Sequence, residues 1–337
     1  MKKKINIGII GKNFGYQVIY NSFILNKKFN VIGFSSRSND FNTTNIPKNI
    51  KIYNNWKQLI DDKKIDAVVI AIPPFYHKEI IKYAIKKNKH IFCEKPVGIS
   101  IKEVSDLIKV IKNKKLAHIV NFEFPEIEAF EKFKKMIYKK KIHNVSLNWF
   151  IKLKNKSRNY WKNLHSKGGG ILFNYICHSI YYLEFLFGKI KLLDSRIIYN
   201  KKNQANYIYC ILIFKDKLRV ELNTKIDFDN NNFKTKHEIE VKNKDESLLL
   251  STSMKNLTKT FDIKLVKKNY SKILFKPKKN KKDFRILPTF ENSKKFARWI
   301  LENKKSSPNF NDAKRVHIII DKMIKSSKNL KIYSIRD

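Results

Sequence analysis

Short apolar, β-branched runs alternate with amphipathic stretches over the first third of the chain. Residues 4–10, KINIGII, have the composition of a strand buried in a parallel sheet, and residues 16–25 form the helical stretch that follows. Further strands are predicted at 29–34, 50–53, 67–72, 90–93 and 116–121. Helices are predicted at 56–60, from the Pro73-Pro74 break to about residue 88, and after Ser100 to about residue 113. Ser100 and Glu103 stand three apart at the start of the last of these, the spacing of a capping box. Strands and helices that alternate in this way build an α/β domain, a doubly wound parallel sheet with helices on both faces.

Beyond Phe122 the period changes. One amphipathic helix at 127–139 leads into strand-like runs at 145–153, 207–214, 218–226, 238–242, 247–251, 261–266 and 272–275. Phe214-Lys215-Asp216-Lys217-Leu218 has the form of a hairpin, so the succession predicts an α+β domain with a large, mostly antiparallel open sheet. Residues 171–187 form a predicted helix with Gly188 as its C-cap, and helices at 292–302 and 311–326 close the chain. The expected division is 1–121, 122–290, and a helical segment 291–337 that packs back between the two.

Ligands of an open parallel sheet bind beyond the carboxyl ends of its strands. That rule places Ile72-Pro73-Pro74 and Glu94-Lys95-Pro96 on one rim, with Lys95 held there by a proline. The turn after the first strand, Gly11-Lys12-Asn13-Phe14-Gly15, occupies the place of a dinucleotide fingerprint in degenerate form. Gly11 fits the pattern, Asn13 stands where a second glycine lets the backbone approach pyrophosphate, and Gly15 comes one place early. Asn tolerates the left-handed backbone better than other non-glycine residues, so the turn survives at Asn13. The second strand ends in Ser35-Ser36-Arg37, with no acidic residue to hold a ribose 2′-hydroxyl; this favours NADP(H) and leaves NAD(H) as the alternative. On the helix at 171–187, Asn174, His178 and Tyr181 share one face, while Cys177 points about 100° away and does not pair with His178 as a nucleophile. A plain structural role stands beside each chemical one: Lys95 as a solvated lysine, His178 as a core histidine, the glycine turn as a tight connection.

The net charge of +43 invites a nucleic-acid partner, because cationic surfaces attract phosphate. Lysine outnumbers arginine 64 to 8, however, and is spread over every segment beside abundant Asn and Ile, as an AT-rich coding sequence produces. Readers of bases and phosphates favour the bidentate guanidinium, so no specific nucleic-acid partner is expected. The longest apolar stretch, 171–187, is broken by Asn174, His178 and Glu184 and is short for a membrane span. No membrane partner is expected. The Lys-rich start followed by residues 5–10 lacks a small-residue cleavage site and is taken as the first strand, not a signal peptide. Cys93, Cys177 and Cys210 are scattered without metal-binding spacing, which predicts no metal and a reduced, cytoplasmic chain.

Several of these motifs recur together in one family. The Gly11 turn, Ala71-x-Pro73-x-x-x-His77, Glu94-Lys95-Pro96, Asn121-Phe122-Glu123-Phe124, and Trp161 followed by Gly168-Gly169-Gly170 and His178 resemble the Gfo/Idh/MocA oxidoreductases, the family of glucose-fructose oxidoreductase and inositol dehydrogenase. The resemblance implies a dinucleotide-binding Rossmann domain over 1–121 and a substrate and oligomerisation domain over 122–290. Cofactor contacts would come from Gly11, Asn13, Phe14 and Gly15, from Ser35, Ser36 and Arg37, and from Ile72, Pro73, Pro74, His77, Glu94 and Lys95. Lys95 would sit by the nicotinamide and substrate, and His178 would be the general acid/base. Asn174 and Tyr181 replace the family's aspartates four residues before and three after that histidine, and Pro125 replaces its arginine. Without a carboxylate at Asn174, a neutral imidazole ready to accept a proton is expected.

The implied reaction is reversible hydride transfer between nicotinamide and a secondary hydroxyl or carbonyl of a sugar, a sugar derivative (nucleotide-linked ones included) or a cyclitol. His178 would take the hydroxyl proton and Lys95 would stabilise the charge that develops on the oxygen. Asn174 would orient His178 or a neighbouring hydroxyl, and Glu123, Trp161 and Tyr181 would contact the substrate. Imine or linear-tetrapyrrole reduction on the same fold, and a catalytically inactive NADP-binding sensor, are the competing expectations. A homo-oligomer, dimer or tetramer, is expected by resemblance, since an open antiparallel sheet leaves one face needing cover.

Overall fold

The structure, a computed structural model, describes residues 4–35, 46–138, 140–153, 160–201, 204–227, 233–252, 260–278 and 282–336. It contains two compact units. The first comprises Met1–Glu123, Ser166–Gly168 and Arg285–Arg315; the second comprises Phe124–His165, Gly169–Phe284 and Val316–Asp337. Helices in chain order are α1 (a wide π-turn over Gly15–Tyr20 continuing as Asn21–Phe23), α2 (Trp56–Asp61), α3 (His77–Lys86), α4 (Ile101–Ile111), α5 (Glu128–Ile137), α6 (Cys177–Phe187), α7 (Ile286–Glu302) and α8 (Phe310–Asn329).

Six parallel strands organise the first unit: β1 (Ile5–Ile10), β2 (Phe29–Ser35), β3 (Lys51–Tyr53), β4 (Ala67–Ile70), β5 (His90–Cys93) and β6 (His118–Val120). Their order, β3-β2-β1-β4-β5-β6, reverses between β1 and β4, which is where a doubly wound sheet opens a crevice for ligands. All of β4 is buried, as its unbroken Ala-Val-Val-Ile run requires in a sheet covered on both faces. Phe23, Phe29, Phe92 and Phe296 form an aromatic seam in the core, with successive centroids 4.9 to 5.9 Å apart. Ser100 Oγ accepts from Glu103 N at 3.2 Å and caps α4 as predicted. The Glu103 carboxylate reaches one residue further back than an ideal box, accepting from Ile99 N at 3.0 Å. Helix α7 begins at Ile286 and not at 292. Pro288 lies in its first turn, where the absent N–H costs no helical bond.

Among the described residues of the second unit nine strands make one sheet: β7 (Asn144–Lys152), β8 (Ile190–Tyr199), β9 (Ala205–Phe214), β10 (Arg219–Asp227), β11 (Lys236–Lys242), β12 (Glu246–Thr252), β13 (Asp262–Lys267), β14 (Tyr270–Phe275) and β15 (Tyr333–Ser334). Their order is β14-β13-β12-β11-β7-β10-β9-β8-β15, antiparallel throughout except for the β7–β10 pair. The β9–β10 hairpin turns at Lys217, which takes φ 59°, and Phe214 N donates to Leu218 O at 2.9 Å. Strand β8 was not expected. Register shifts interrupt its alternation, and a buried Ser195, whose amide donates to Ser326 Oγ at 2.9 Å, stands where an apolar residue would mark the inner face.

Candidate active site

In the first unit the chain leaves β1 at Gly11, whose φ of 136° suits glycine alone. A Cβ there would overlap the Ala71 carbonyl oxygen, so the turn lies directly on the end of β4. Gly11 N donates to Ser35 O at 2.9 Å and Ala71 N to Ile10 O at 2.8 Å, which fixes three neighbouring strand ends together. Asn13 does not take the left-handed backbone expected of it: it already lies in a helical turn, and Gly11 carries the positive φ. The bond from Tyr16 N to Lys12 O at 2.7 Å opens the helix, so the amides of Asn13, Phe14 and Gly15 precede its ladder. Amides that precede a helical ladder, with the helix dipole behind them, are groups able to take an anion such as a pyrophosphate. Gly15, though one place early, still lets helix and strand pack closely: a Cβ there would come within 3.3 Å of Ile9 Cγ2. Ser35 is buried, and its Oγ has no hydrogen-bond partner among the described residues. Ser36 and Arg37 lie outside the described residues.

The neighbouring rim is built from Ile72, the diproline and Glu94-Lys95-Pro96. Pro74 opens a short 3₁₀ turn, Pro74–Tyr76, that feeds α3. His77 begins that helix with none of its surface exposed, Nε2 lying 2.8 Å from Ile72 O and Nδ1 2.9 Å from Pro96 O. Burial draws its pKa down to about 4 against the pull of these carbonyls, so the ring is neutral. His77 therefore pins the loop after β4 to the cis Lys95–Pro96 segment after β5.

Glu94 is held by Asn121, whose Nδ2 donates to Oε1 at 2.7 Å and also lies 3.1 Å from Thr289 Oγ1. Asn292 Nδ2 donates in turn to Asn121 Oδ1 at 3.2 Å. Burial, and after it the charge of Glu123, push the Glu94 carboxyl up to about 8, against the Asn121 hydrogen bond and the charges of Lys95 and Arg285. Burial and the Glu123 charge thus favour the protonated form of Glu94 beside Lys95. Glu123 is 5% exposed and belongs to this acid pair in the first unit. Thr289, Asn292 and Arg285 were not anticipated. With the helix expected to start at 292, nothing in the pattern brought its first turn to the rim.

The remaining candidates belong to the second unit. His178, near the start of α6, is 5% exposed and lies against Phe124, ring centroids 4.9 Å apart. Asn174 falls in a wide π-turn over Leu172–Ile176, and its Nδ2 donates to Lys162 O at 2.8 Å, tying it to the Trp161–Asn163 turn. That wide turn departs from 3.6-residue phasing, so the single helical face expected of Asn174, His178 and Tyr181 is interrupted between the first two. Trp161 and Tyr181 are half-buried. Cys177 Sγ donates to Phe173 O at 2.8 Å within its own helix. Behind His178, a buried chain runs from Ser179 Oγ to Tyr182 Oη at 3.1 Å and on to His237 Nε2 at 2.8 Å. His237 stacks on Trp149 with centroids 3.9 Å apart, and burial holds its pKa well below the usual imidazole range. Among the described residues no cluster of His, Cys, Asp and Glu could hold a metal ion, and no helix is long and apolar enough to cross a membrane.

A parallel sheet of this order with a glycine turn after β1 defines a Rossmann-type dinucleotide-binding fold. Residues 5–122 match the NAD-binding Rossmann domain of the Gfo/Idh/MocA oxidoreductase family, and residues 134–329 match its C-terminal alpha/beta domain. The chain belongs to this family. It is 29% identical over 150 residues to an uncharacterized oxidoreductase of Synechocystis, covering 43% of this chain and 40% of that protein. It is 30% identical over 158 residues to the 2,7-anhydro-N-acetylneuraminate hydratase of Escherichia coli, covering 44% and 41%. The matched stretch thus spans about two fifths of each relative's length. A levoglucosan dehydrogenase solved in complex with NADH and levoglucosan shares the fold, with a TM-score of 0.80 at 15% identity over 99% of this chain and 100% of that one. The amide-lined turn at Gly11 and the buried Ser35 hydroxyl at the end of β2 fit a dinucleotide laid across this edge.

Proposed function

We propose that this protein is an NAD(P)-dependent dehydrogenase that interconverts a secondary hydroxyl and a carbonyl on a sugar, sugar derivative or cyclitol, with NADP(H) preferred. The observation that carries the reading is the Glu94-Lys95-Pro96 segment at the carboxyl end of β5, pinned by His77 to the loop after β4 on the edge that bears the glycine turn. When bound, the nicotinamide supplies the hydride acceptor or donor. Lys95 holds the substrate oxygen and stabilises the negative charge that builds on it. His178 accepts the hydroxyl proton, while Trp161 and Tyr181 present apolar surface to the ring. The absence of an acid in Ser35-Ser36-Arg37 supports the 2′-phosphate preference. Carbohydrate substrates in the names of the hydratase and dehydrogenase relatives support the substrate class. The half-exposed Tyr207, Tyr209, Ile211 and Ile213 on one face of β9 support a homo-oligomer, which light scattering would detect.

Paired fluorescence titrations of NADPH and NADH in moderate salt test the cofactor, followed by a sugar and cyclitol panel. NADPH is expected to bind about tenfold tighter or better. His178→Ala should lower turnover by about 10² to 10⁴ while nicotinamide affinity stays near wild type. Full turnover in that variant would remove His178 from the mechanism.

A further inference from the structure

We propose that Arg285 is a ligand of the dinucleotide's pyrophosphate, supplying from the start of α7 the contact that the glycine turn loses at Asn13. The inference rests on the cofactor reading above and adds to it a residue from outside the fingerprint.

Three observations place the guanidinium. Its central carbon lies 4.9 Å from the centroid of Phe14, the residue between Asn13 and Gly15. Its backbone root is fixed to α1: Ser22 Oγ lies 2.9 Å from the carbonyl of Ile286, and Thr289 N donates to Arg285 O at 3.1 Å as α7 begins. Its charge also acts on Glu94 at the end of β5. Arg285 therefore stands beside the β1 turn, within electrostatic reach of the end of β5, and a dinucleotide on this edge runs from its pyrophosphate at the first toward its nicotinamide at the second.

The chemistry matches the position. In a full fingerprint the second glycine lets the backbone come close to the pyrophosphate, and an Asn side chain keeps it further off. A guanidinium offers planar, paired N–H donors that suit two phosphate oxygens, and a long side chain spans the added distance. A lysine elsewhere on this very basic surface supplies charge without the fork.

The test is NADH and NADPH fluorescence titration of the full chain, with inorganic pyrophosphate as competitor and the melting midpoint as the check on folding. Arg285→Gln is expected to weaken both nicotinamides by about tenfold or more at an unchanged midpoint, and to abolish the competition by pyrophosphate expected of wild type. Arg285→Lys keeps the charge and loses the fork, and should fall between the two. Wild-type affinity and competition in Arg285→Gln would overturn the proposal. If that variant does not fold, wild-type affinity in Arg285→Lys overturns it equally. A wild-type chain that binds neither nicotinamide would instead overturn the dehydrogenase reading itself.

Discussion

Asn121 donates its side-chain N–H to Glu94 Oε1 at 2.7 Å, while Glu123, two residues on, presses its charge on the same carboxyl group. Glu94 is raised from an ordinary 4.5 to about 8, so between these values the folded chain keeps a proton that the unfolded chain has lost. Stability attributable to this site must then fall as pH rises through that window and level off above it. Glu94→Gln mimics the protonated acid and should flatten the decline, so that its melting midpoint exceeds that of wild type at about pH 9 and converges on it near pH 5. Parallel curves for the two proteins would show that Glu94 does not hold the proton.

The buried histidines work in the opposite direction. Burial lowers the pKa of His77, His118 and His317 from 6.5 to about 4 in each case. Between those values the unfolded chain binds protons that the folded chain refuses, so stability is lost as pH falls from 6.5 toward 4. His317 gives the cleanest test. Its ring lies against Phe173 with centroids 4.9 Å apart, and its buried Nε2 has no hydrogen-bond partner among the described residues. His317→Phe should raise the melting midpoint at about pH 5 more than at about pH 8. An equal gain at both would assign the effect to packing alone.

His77 links stability to the reactive rim. Its two ring nitrogens face the carbonyls of Ile72 and Pro96, and a neutral ring has one N–H to give. His77→Ala leaves those buried carbonyls facing a void and should cost about 1–3 kcal/mol in urea unfolding. Because the loop after β5 loses its tie, turnover should fall further than nicotinamide affinity does. A loss of affinity with kcat intact would argue that the histidine supports the cofactor and not Lys95.

Strands β1 and β4 were legible because each is an apolar, β-branched run, and β5, His-Ile-Phe-Cys, was placed to the residue by the flanking Lys89 and Glu94. The cap at Ser100 and the turn before Leu218 followed equally from local chemistry. What stayed hidden has a common physical cause. Ser195, Thr289, Asn292 and His237 are polar residues buried by partners distant in sequence, and in a linear pattern each counts as surface. The wide turns at Gly15–Tyr20 and Leu172–Ile176 likewise leave no composition signal, yet they shift the side chains on which the expected face of Asn174 and His178 depended. Lys95 and His178 could be nominated from position and motif, but the groups that set their surroundings could not.

Two glycines with positive φ separate a strained backbone from a blocked one. At Gly188, φ is 87° and ψ −161° at the end of α6, and no atom lies within 4 Å of where a Cβ would be. Gly188→Ala therefore bears only the cost of a conformation that alanine resists, about 1–3 kcal/mol, and should leave nicotinamide affinity unchanged. At Gly11 the same substitution meets the Ala71 carbonyl as well as an unfavourable φ, so the β1 turn must lift away from β4 and carry the amides of Asn13, Phe14 and Gly15 with it. Gly11→Ala should lose more stability than Gly188→Ala and should abolish the nicotinamide titration. If Gly11→Ala instead binds with wild-type affinity, the pyrophosphate does not rest on this turn, and the anion site must be sought elsewhere on the carboxyl edge.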